Sequence, residues 1–327
     1  MGLLTFTEEV QIPMPWGHIR GKLWGSKLTK DKEPIIAMHG WLDNAGTFDH
    51  LLPYVTDKVS VLCLDLPGHG LSSHYPRGLR YDSLFDNVVL LRRIMNHFGW
   101  KRISLMGHSM GCNISFIFTA LYPKDVNYII ALDSIAPLGF ETDSEFVDYQ
   151  ADNLLKFIRY DAMPVNPGPH GSMKDLQDIC IDAHKGSLTE ASAKTLMIRG
   201  ASRLRDNVYK FNRDLKLMAA FLHPPSFELI QVYAKNIKCH YLNIRFEFFT
   251  GNKLEKYDQI LNIVKGASKN FKFVQETGTH HVHMNDPQKI ALIINQFLFS
   301  CMTDVDVTTY IGRLFHPLKT AISVLPL

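Results

Sequence analysis

A serine lies between two glycines in the segment Gly-His-Ser-Met-Gly, residues 107–111, where an apolar run gives way to a helix-like one. Such a segment between a strand and a helix is typical of a tight turn that strains the serine backbone and exposes its hydroxyl at the edge of a sheet. Larger side chains two residues to either side would collide in this turn, so Gly107 and Gly111 fit it. We predict that Ser109 is a nucleophile; the alternative is a turn whose serine only caps the helix.

A serine hydroxyl is a weak nucleophile unless a base lies beside it. In this motif the order along the chain is serine, acid, histidine. The segment ETGTHHVHMNDP, residues 276–287, supplies three histidines after the last strand-like run. His280 is the predicted base because it comes first after the glycine-containing turn, and His281 and His283 flank it. Since His-His-x-His has no obvious carboxylate or thiol companion at ligand spacing, we predict no metal site.

The acid that would orient the histidine is open between two positions. Asp133 ends the apolar run IIALDS, where a buried carboxylate could accept a hydrogen bond from the imidazole and fix its tautomer. Glu247 follows the later run LNIRF, which is the more usual place for the acid, but no aspartate stands at the expected turn there. A triad without a working acid is the third alternative. For Asp133 itself, a turn-capping role competes with the catalytic one.

The oxyanion of a tetrahedral intermediate needs two backbone amides aimed at it. We expect one from Met110, directly after the nucleophile, and the other from Trp41 in the segment MHGWLDN. The segment DLPGHGLSS contains Gly68 and Gly70, but Ser73 stands where a dinucleotide-binding fingerprint would need its third glycine. We interpret this segment as a turn beside the site, and we expect no cofactor.

These residues follow apolar runs of the kind found in strands that are buried on both faces of a parallel sheet. The runs are PIIAMHG (34–40), VSVLCLDLPGHG (59–70), ISLMGHSMG (103–111), YIIALDS (128–134) and the weaker HYLNIRF (240–246) and KFVQETG (272–278). Helix-like stretches at 83–99, 109–123 and 287–300 alternate with them. The alternation predicts an α/β fold with a mostly parallel, doubly wound sheet.

The alternation breaks between residues 137 and 235, where charged helical segments occur without an obvious strand. We predict that 137–235 is an inserted helical lid over the carboxyl ends of the strands, where open α/β sheets bind ligands. Residues 1–136 and 236–301 would then form the core, and residues 302–327 a C-terminal extension packed on it.

The composition excludes several other classes of protein. Of 327 residues, 46% are hydrophobic and 20% are charged, as in an ordinary globular protein. The net charge of +3 gives no reason to expect a nucleic acid partner. No run reaches the roughly 20 apolar residues of a membrane span, and the N-terminus lacks the pattern of a secretory signal. Five scattered cysteines are expected to be reduced thiols, which favours a cytoplasmic location.

Taken in order, the segments HGW, DLPGHGLS, GHSMG and GTHHVHMNDP resemble the α/β-hydrolase fold superfamily. Within it, PMPWGHIRGKLWG, HGWLDNAGTFD, GHGLSSHY and HHVHMNDPQKIA are similar to the serine hydrolase-like protein family of animals. The resemblance implies a cofactor-free hydrolase that acts through an acyl-enzyme, with Ser109 and His280 in the positions of nucleophile and base. A peroxisomal location would rest on the resemblance alone, because the C-terminal VLPL is not an SKL-type signal.

We therefore expect a serine hydrolase that cleaves a carboxylic ester or thioester of a small apolar acyl substrate. Two alternatives stay open. One is a ligand-binding or receptor-like protein on the same fold with weak or no turnover. The other is hydrolysis of C–C or amide bonds by the same residues.

Overall fold

The computed structural model describes residues 2–30, 33–139, 142–163, 168–219, 224–246 and 251–302. Eight strands form its central sheet: β1 (Phe6–Met14), β2 (Gly17–Trp24), β3 (Ile35–Met38), β4 (Val61–Leu64), β5 (Ile103–His108), β6 (Val126–Leu132), β10 (His240–Arg245) and β11 (Asn270–Gln275). The order across the sheet is β1-β2-β4-β3-β5-β6-β10-β11. A separate three-stranded sheet contains β7 (His170–Gly171), β8 (Ala201–Arg205) and β9 (Val208–Phe211).

The middle of the large sheet is parallel. Strands β3, β4 and β5 are buried along their whole length, since helices cover both faces of the sheet. In the register, Met38 pairs with Gly107, and His108 pairs with Leu132. Leu132 also pairs with Ile244 on the far side of β6. The carboxyl ends of β3, β5, β6 and β10 therefore meet at one edge of the sheet.

Nine helices are found in the described part of the chain. They are α1 (Phe85–Phe98), α2 (Met110–Leu121), α3 (Asp143–Ala162), α4 (Met173–Ala183), α5 (Glu190–Gly200), α6 (Phe227–Lys235), α7 (Gly251–Ala267), α8 (Val282–Asn285) and α9 (Pro287–Met302). Apolar residues of α1, α2, α6 and α7 share one core cluster on one face of the sheet. Those of α9 pack in a second cluster that also holds residues from β3, β4 and β6. Among the described residues, none of the helices combines the length and the apolar composition needed to cross a membrane.

The predicted fold class is confirmed, because the sheet is mostly parallel with helices on both faces. Each of the six apolar runs overlaps a strand, and the three helix-like stretches correspond to α1, α2 and α9. The sequence reading missed the antiparallel hairpin of β1 and β2 at the edge of the sheet. Strand β1 is mostly exposed and carries two glutamates, so it lacks the continuous apolar run of a buried strand.

The segment predicted as a helical lid differs from that prediction in two respects. It contains helices α3, α4 and α5, but also the small antiparallel sheet of β7, β9 and β8. These strands are short and half exposed, which leaves little apolar pattern to read. Helix α6 lies inside the predicted lid range, yet its Ile230 and Ala234 pack in the core cluster of α2 and α7. The domain boundaries stay a prediction, and residues 303–327 lie outside the described part.

Candidate active site

Ser109 occupies the turn between β5 and α2 with a backbone that few non-glycine residues adopt, φ 53° and ψ −112°. A Cβ atom at Gly107 would overlap the backbone of Gly111 and Cys112, and one at Gly111 would overlap the carbonyl oxygen of Met38. Both glycines are therefore required by the closeness of neighbouring backbone. The geometry is that of the tight strand–turn–helix expected from the sequence.

His280 and Asp133 lie next to each other although 147 residues separate them in the chain. The distance from His280 Nδ1 to Asp133 Oδ2 is 2.6 Å. Asp133 follows the end of β6, and its other carboxylate oxygen accepts a hydrogen bond of 2.6 Å from the Phe246 amide after β10. Because Nδ1–H donates to the carboxylate, the lone pair of the neutral imidazole lies on Nε2. Asp133 is buried, whereas the His280 side chain is about one quarter exposed at 26%.

Ser109 and His280 together line two cavities at the carboxyl edge of the sheet. The first, of about 470 Å³, extends toward Trp41 and the segment after α4 that holds Lys185 and Gly186. The second, of about 340 Å³, extends toward Leu84, Leu138 and the phenol of Tyr257, and it includes Asp133. The predicted nucleophile, base and acid thus converge on one place, with open volume on both sides of it.

The two predicted oxyanion donors also lie here. Met110 is the first residue of α2, a position whose amide has no intrahelical acceptor. Trp41 lines the first cavity together with Ser109, and its indole Nε1 donates to the Leu217 carbonyl oxygen in the inserted segment at 3.1 Å. The N-terminus of α2 adds a favourable field for negative charge near Ser109.

Two further carboxylates, Glu247 and Asp258, follow β10 in the sequence. Glu247 lies outside the described residues. Asp258 lies on α7, where its carboxylate is 3.4 Å from Nη1 of Arg245. Among the described residues, Asp133 is the candidate acid that contacts His280.

The DLPGHG segment is a structural turn, in agreement with the sequence reading. Gly68 and Gly70 have φ values of 76° and 53°, and a Cβ atom at Gly70 would overlap the carboxylate of Asp65. That carboxylate is buried against the Arg199 guanidinium of α5, with 2.7 Å between Oδ2 and Nη2. Asp65 therefore ties the core to the inserted segment.

Histidines surround the predicted site. His108, directly before the nucleophile, is fully buried, and burial lowers its pKa to about 4 although Asp43 lies near it. His283 is also fully buried, its pKa is lowered by burial, and it shares a hydrogen bond of 2.9 Å with Thr47. Both imidazoles are therefore neutral at physiological pH.

Two residues near the site escaped the sequence analysis. Asp43 and His184 lie beside His281, and one ligand atom of each of the three is within 4.8 Å of the others. Asp43 is 238 residues from His281 in the chain, so a search for carboxylates at ligand spacing could not pair them. The only signal was the position of Asp43 in the MHGWLDN segment already selected for Trp41.

Comparisons with known proteins agree with this architecture. A family model of the α/β hydrolase fold matches residues 33–173. The chain is 37% identical over 295 residues to a probable serine hydrolase of Drosophila melanogaster, covering 89% of this chain and 87% of that protein. It is 32% identical over 306 residues to serine hydrolase-like protein 2 of Homo sapiens, covering 89% and 93% of the two chains.

Among solved structures, the thioesterase domain from the curacin biosynthetic pathway superposes with a TM-score of 0.70. The match covers 89% of this chain and 99% of that domain, and at 19% identity it shows the fold alone. The chain therefore belongs to the α/β-hydrolase fold superfamily and, within it, to the family of the serine hydrolase-like proteins.

Proposed function

We propose that this protein is a serine hydrolase that cleaves a carboxylic ester or thioester of a small apolar acyl group through an acyl-serine intermediate. Ser109 is the nucleophile, His280 the general base and Asp133 the acid of the triad. The observation that carries the proposal is the 2.6 Å contact of His280 Nδ1 with Asp133 Oδ2, in a cavity that Ser109 also lines. It is supported by the strained backbone of Ser109 and by the family to which the chain belongs.

Acylation begins when Nε2 of His280 takes the Ser109 hydroxyl proton while Oγ attacks the carbonyl carbon. The carbonyl oxygen becomes negative and accepts hydrogen bonds from the Met110 and Trp41 amides, each of which contributes about 3 kcal/mol to lowering the barrier. The tetrahedral intermediate then collapses. The bond from carbon to the leaving oxygen or sulfur breaks, and the proton on His280 passes to that atom.

Deacylation repeats these steps with water as the nucleophile. His280 removes a proton from water, the hydroxide attacks the acyl carbon, and the proton returns to Ser109 Oγ as the carboxylic acid leaves. Asp133 stays ionised throughout. Its buried carboxylate holds the imidazole in the Nδ1–H tautomer and stabilises the imidazolium formed in each transition state.

The two cavities suggest where each half of the substrate binds. The second cavity is lined by the apolar side chains of Leu84, Ala136 and Leu138, and its volume of about 340 Å³ suits a short acyl chain. The first cavity is wider and carries His184, Lys185 and Ser187, so it suits a polar or solvated leaving group. We therefore assign the acyl group to the second cavity and the alcohol or thiol to the first.

Labelling with a fluorophosphonate probe tests the nucleophile directly. We expect the wild-type protein to be labelled at one serine and Ser109→Ala to be unlabelled. Ser134→Ala is the matched control, because Ser134 also lines the second cavity and its hydroxyl donates to Asn113 Oδ1 at 2.8 Å. A folded wild-type protein that the probe does not label would exclude an acyl-serine mechanism.

A panel of substrates tests the bond that is cleaved. We expect hydrolysis of nitrophenyl esters and thioesters with the highest kcat/KM at short acyl chains, and no comparable rate with matched anilides or diketones. Ligand binding that survives Ser109→Ala, without turnover of any ester, would instead favour a receptor-like role. Preference for the anilide or the diketone would favour amide or C–C hydrolysis.

A further inference from the structure

Three side chains from distant segments converge on one wall of the first cavity. Asp43 comes from the turn after β3, His184 from the end of α4 and His281 from the turn before α8. The distance from Asp43 Oδ1 to His184 Nε2 is 3.3 Å, and that from Asp43 Oδ2 to His281 Nε2 is also 3.3 Å. All three residues line the cavity that contains Ser109.

The outer nitrogen of each imidazole is held by a partner behind it. His184 Nδ1 lies 2.7 Å from the Cys180 carbonyl oxygen, which can only accept, so Nδ1 carries the proton. His281 Nδ1 lies 2.8 Å from Ser187 Oγ. A histidine that gives its outer N–H to such a partner presents the other nitrogen as a lone pair, which is the usual arrangement of metal-binding histidines.

The buried carboxylate of Asp43 has fewer hydrogen bonds than its oxygens can accept. It is 2% exposed, and its Oδ1 has no hydrogen-bond partner of acceptable geometry among the described residues. His108 Nδ1 is likewise buried and unpartnered, 3.4 Å from Asp43 Oδ2. His108 Nε2 contacts the His280 carbonyl oxygen at 2.9 Å, which leaves Nδ1 on the side of Asp43. Ring nitrogens of three histidines therefore lie around one buried carboxylate.

The spacing of these atoms fits a cation between them. Zn²⁺ takes histidine nitrogen and carboxylate oxygen at about 2.0–2.2 Å with tetrahedral geometry, which places two ligand atoms about 3.3–3.5 Å apart. The two measured separations from Asp43 are 3.3 Å. Charge-assisted hydrogen bonds would be shorter, at about 2.7–2.9 Å. The remaining separation, between the ligand nitrogens of the two histidines, is at most 4.8 Å.

We propose that Asp43, His184 and His281 form a binding site for a divalent transition metal ion such as Zn²⁺. Two histidines and one carboxylate are a common ligand set for this ion, and the fourth position opens on the cavity. The bound ion joins the inserted segment, through His184, to the core, through Asp43 and His281. The site is separate from the triad and does not depend on the proposed hydrolysis.

The competing state is an ion pair without metal. Burial alone would lower the pKa of His184, but its hydrogen bonds to Asp43 and Cys180 raise that pKa to about 10, so a protonated His184 could neutralise Asp43 by itself. The two states differ in what they bind. A metal site takes up one ion per chain, whereas the ion pair takes up none.

Equilibrium dialysis of the chelator-treated full chain against Zn²⁺ tests the proposal by measuring how many ions each chain binds. The visible absorption spectrum of the Co²⁺-substituted protein reports the coordination geometry. We expect one ion per wild-type chain, and loss of this binding in Asp43→Asn and His184→Gln. Ser187→Ala, which removes the outer partner of His281, should weaken binding about tenfold to hundredfold. His170→Gln is the control, because it changes an exposed histidine of the same inserted segment, on β7.

Ser109→Ala should bind the ion as the wild type does, so that a failure of the proposed hydrolysis leaves this result intact. Circular dichroism identifies any variant that does not fold, and Ser187→Ala then decides the outcome. Absence of stoichiometric binding to the wild type overturns the proposal in favour of the ion pair. So does an unchanged affinity in folded His184→Gln or Ser187→Ala.

Discussion

At the scale of single residues, the pairing of Asp133 with His280 determines which nitrogen of the imidazole carries the proton. Asp133 is held on two sides: its own amide donates to the Ile244 carbonyl oxygen at 2.7 Å, and its carboxylate accepts from the Phe246 amide at 2.6 Å. Its backbone takes a φ of 61°, which is unusual for a residue other than glycine. The residue with this backbone is the one whose carboxylate contacts the histidine.

Replacing Asp133 by asparagine should therefore lower kcat by about 10⁴-fold with little change in fold, because the amide favours the wrong imidazole tautomer. Steady-state hydrolysis of a nitrophenyl ester measures the effect. Glu247→Gln and Asp258→Asn are the matched controls and should stay near the wild-type rate. The reverse pattern, with activity lost in Glu247→Gln and kept in Asp133→Asn, would contradict the assignment of the acid.

The sequence pointed to Ser109 and His280 as the proposed nucleophile and base but left two acids open. The proposed nucleophile has a local signature, since its glycines and flanking elements are contiguous in the chain. The proposed acid Asp133 has none, because its contact with His280 depends on β6 and β10 lying side by side and on the turn after β6. The contact of Asp43 with His281 was unreadable for the same reason.

At the scale of secondary structure elements, the turn between β5 and α2 brings backbone close to the backbone of neighbouring segments. Gly111 lies against the Met38 carbonyl oxygen of the neighbouring β3, and backbone cannot move aside as a side chain can. The helix and the strand can pack this closely only because glycine has no side chain at this position. A helical glycine without such a neighbour, such as the exposed Gly266 of α7, offers the opposite case.

Gly111→Ala and Gly266→Ala should accordingly change stability in opposite directions. We expect the first to lower the free energy of unfolding by about 1–3 kcal/mol or more through overpacking. The second should raise it by about 0.4–1 kcal/mol by restricting the unfolded chain. Urea unfolding followed by circular dichroism measures both, and equal effects of the two variants would refute the steric explanation of the elbow glycine.

The inserted segment is fastened to the core by Arg199 of α5. Its guanidinium is almost fully buried and contacts the carboxylates of Asp65 at 2.7 Å and Glu9 at 2.5 Å. Burial alone would lower the pKa of Arg199, but the two carboxylates hold it above its usual value, so the charge is retained. A buried charge that loses its partner is costly.

Arg199→Ala should thus destabilise the protein by about 3–5 kcal/mol, because Asp65 is left buried without its counter-charge. Arg203→Ala, which removes an exposed ion pair with Asp206 in the same segment, is the control and should have no measurable effect. Thermal unfolding compares them. If Arg199→Ala has the same Tm as Arg203→Ala and the wild type, the buried ion pair does not stabilise the packing of the insertion on the core.

At the scale of the whole molecule, the apolar runs of the sequence predict the layered core. They do not predict the structure of the inserted segment. Strands such as β3 and β5 are buried on both faces, so their composition alone identifies them. The strands of the insertion and the β1–β2 hairpin are partly exposed, and tertiary packing decides their form. Long helices with an apolar face, such as α1 with its glycine stop, were predictable for the same reason as the buried strands.

Folding also buries several neutral histidines, which couples the stability of the molecule to pH. His39 and His69 are fully buried, and their rings lie in edge contact 4.8 Å apart. Burial lowers the pKa of both below the ordinary 6.5. Each uses Nε2 to accept a backbone hydrogen bond, His39 from the Leu66 amide and His69 from the Leu42 amide. Protonation would convert these acceptors into donors and break the contacts.

The free energy of unfolding should therefore fall as the pH drops below about 6.5, by up to about 1.4 kcal/mol per pH unit for each such histidine. The sign follows because the unfolded chain binds a proton there and the folded protein does not, so the stabilisation is complete above pH 6.5 and is lost below it. Urea unfolding between pH 7.5 and 5.5, in the presence of a chelator, measures this slope.

His69→Gln should lower stability at pH 7.5 yet give a shallower slope, since it removes one proton-binding group from the balance. His97→Gln, on the exposed side of α1, should leave the slope unchanged. A slope in His69→Gln as steep as that of the wild type would show that His69 is not among the buried groups that make folding sensitive to acid.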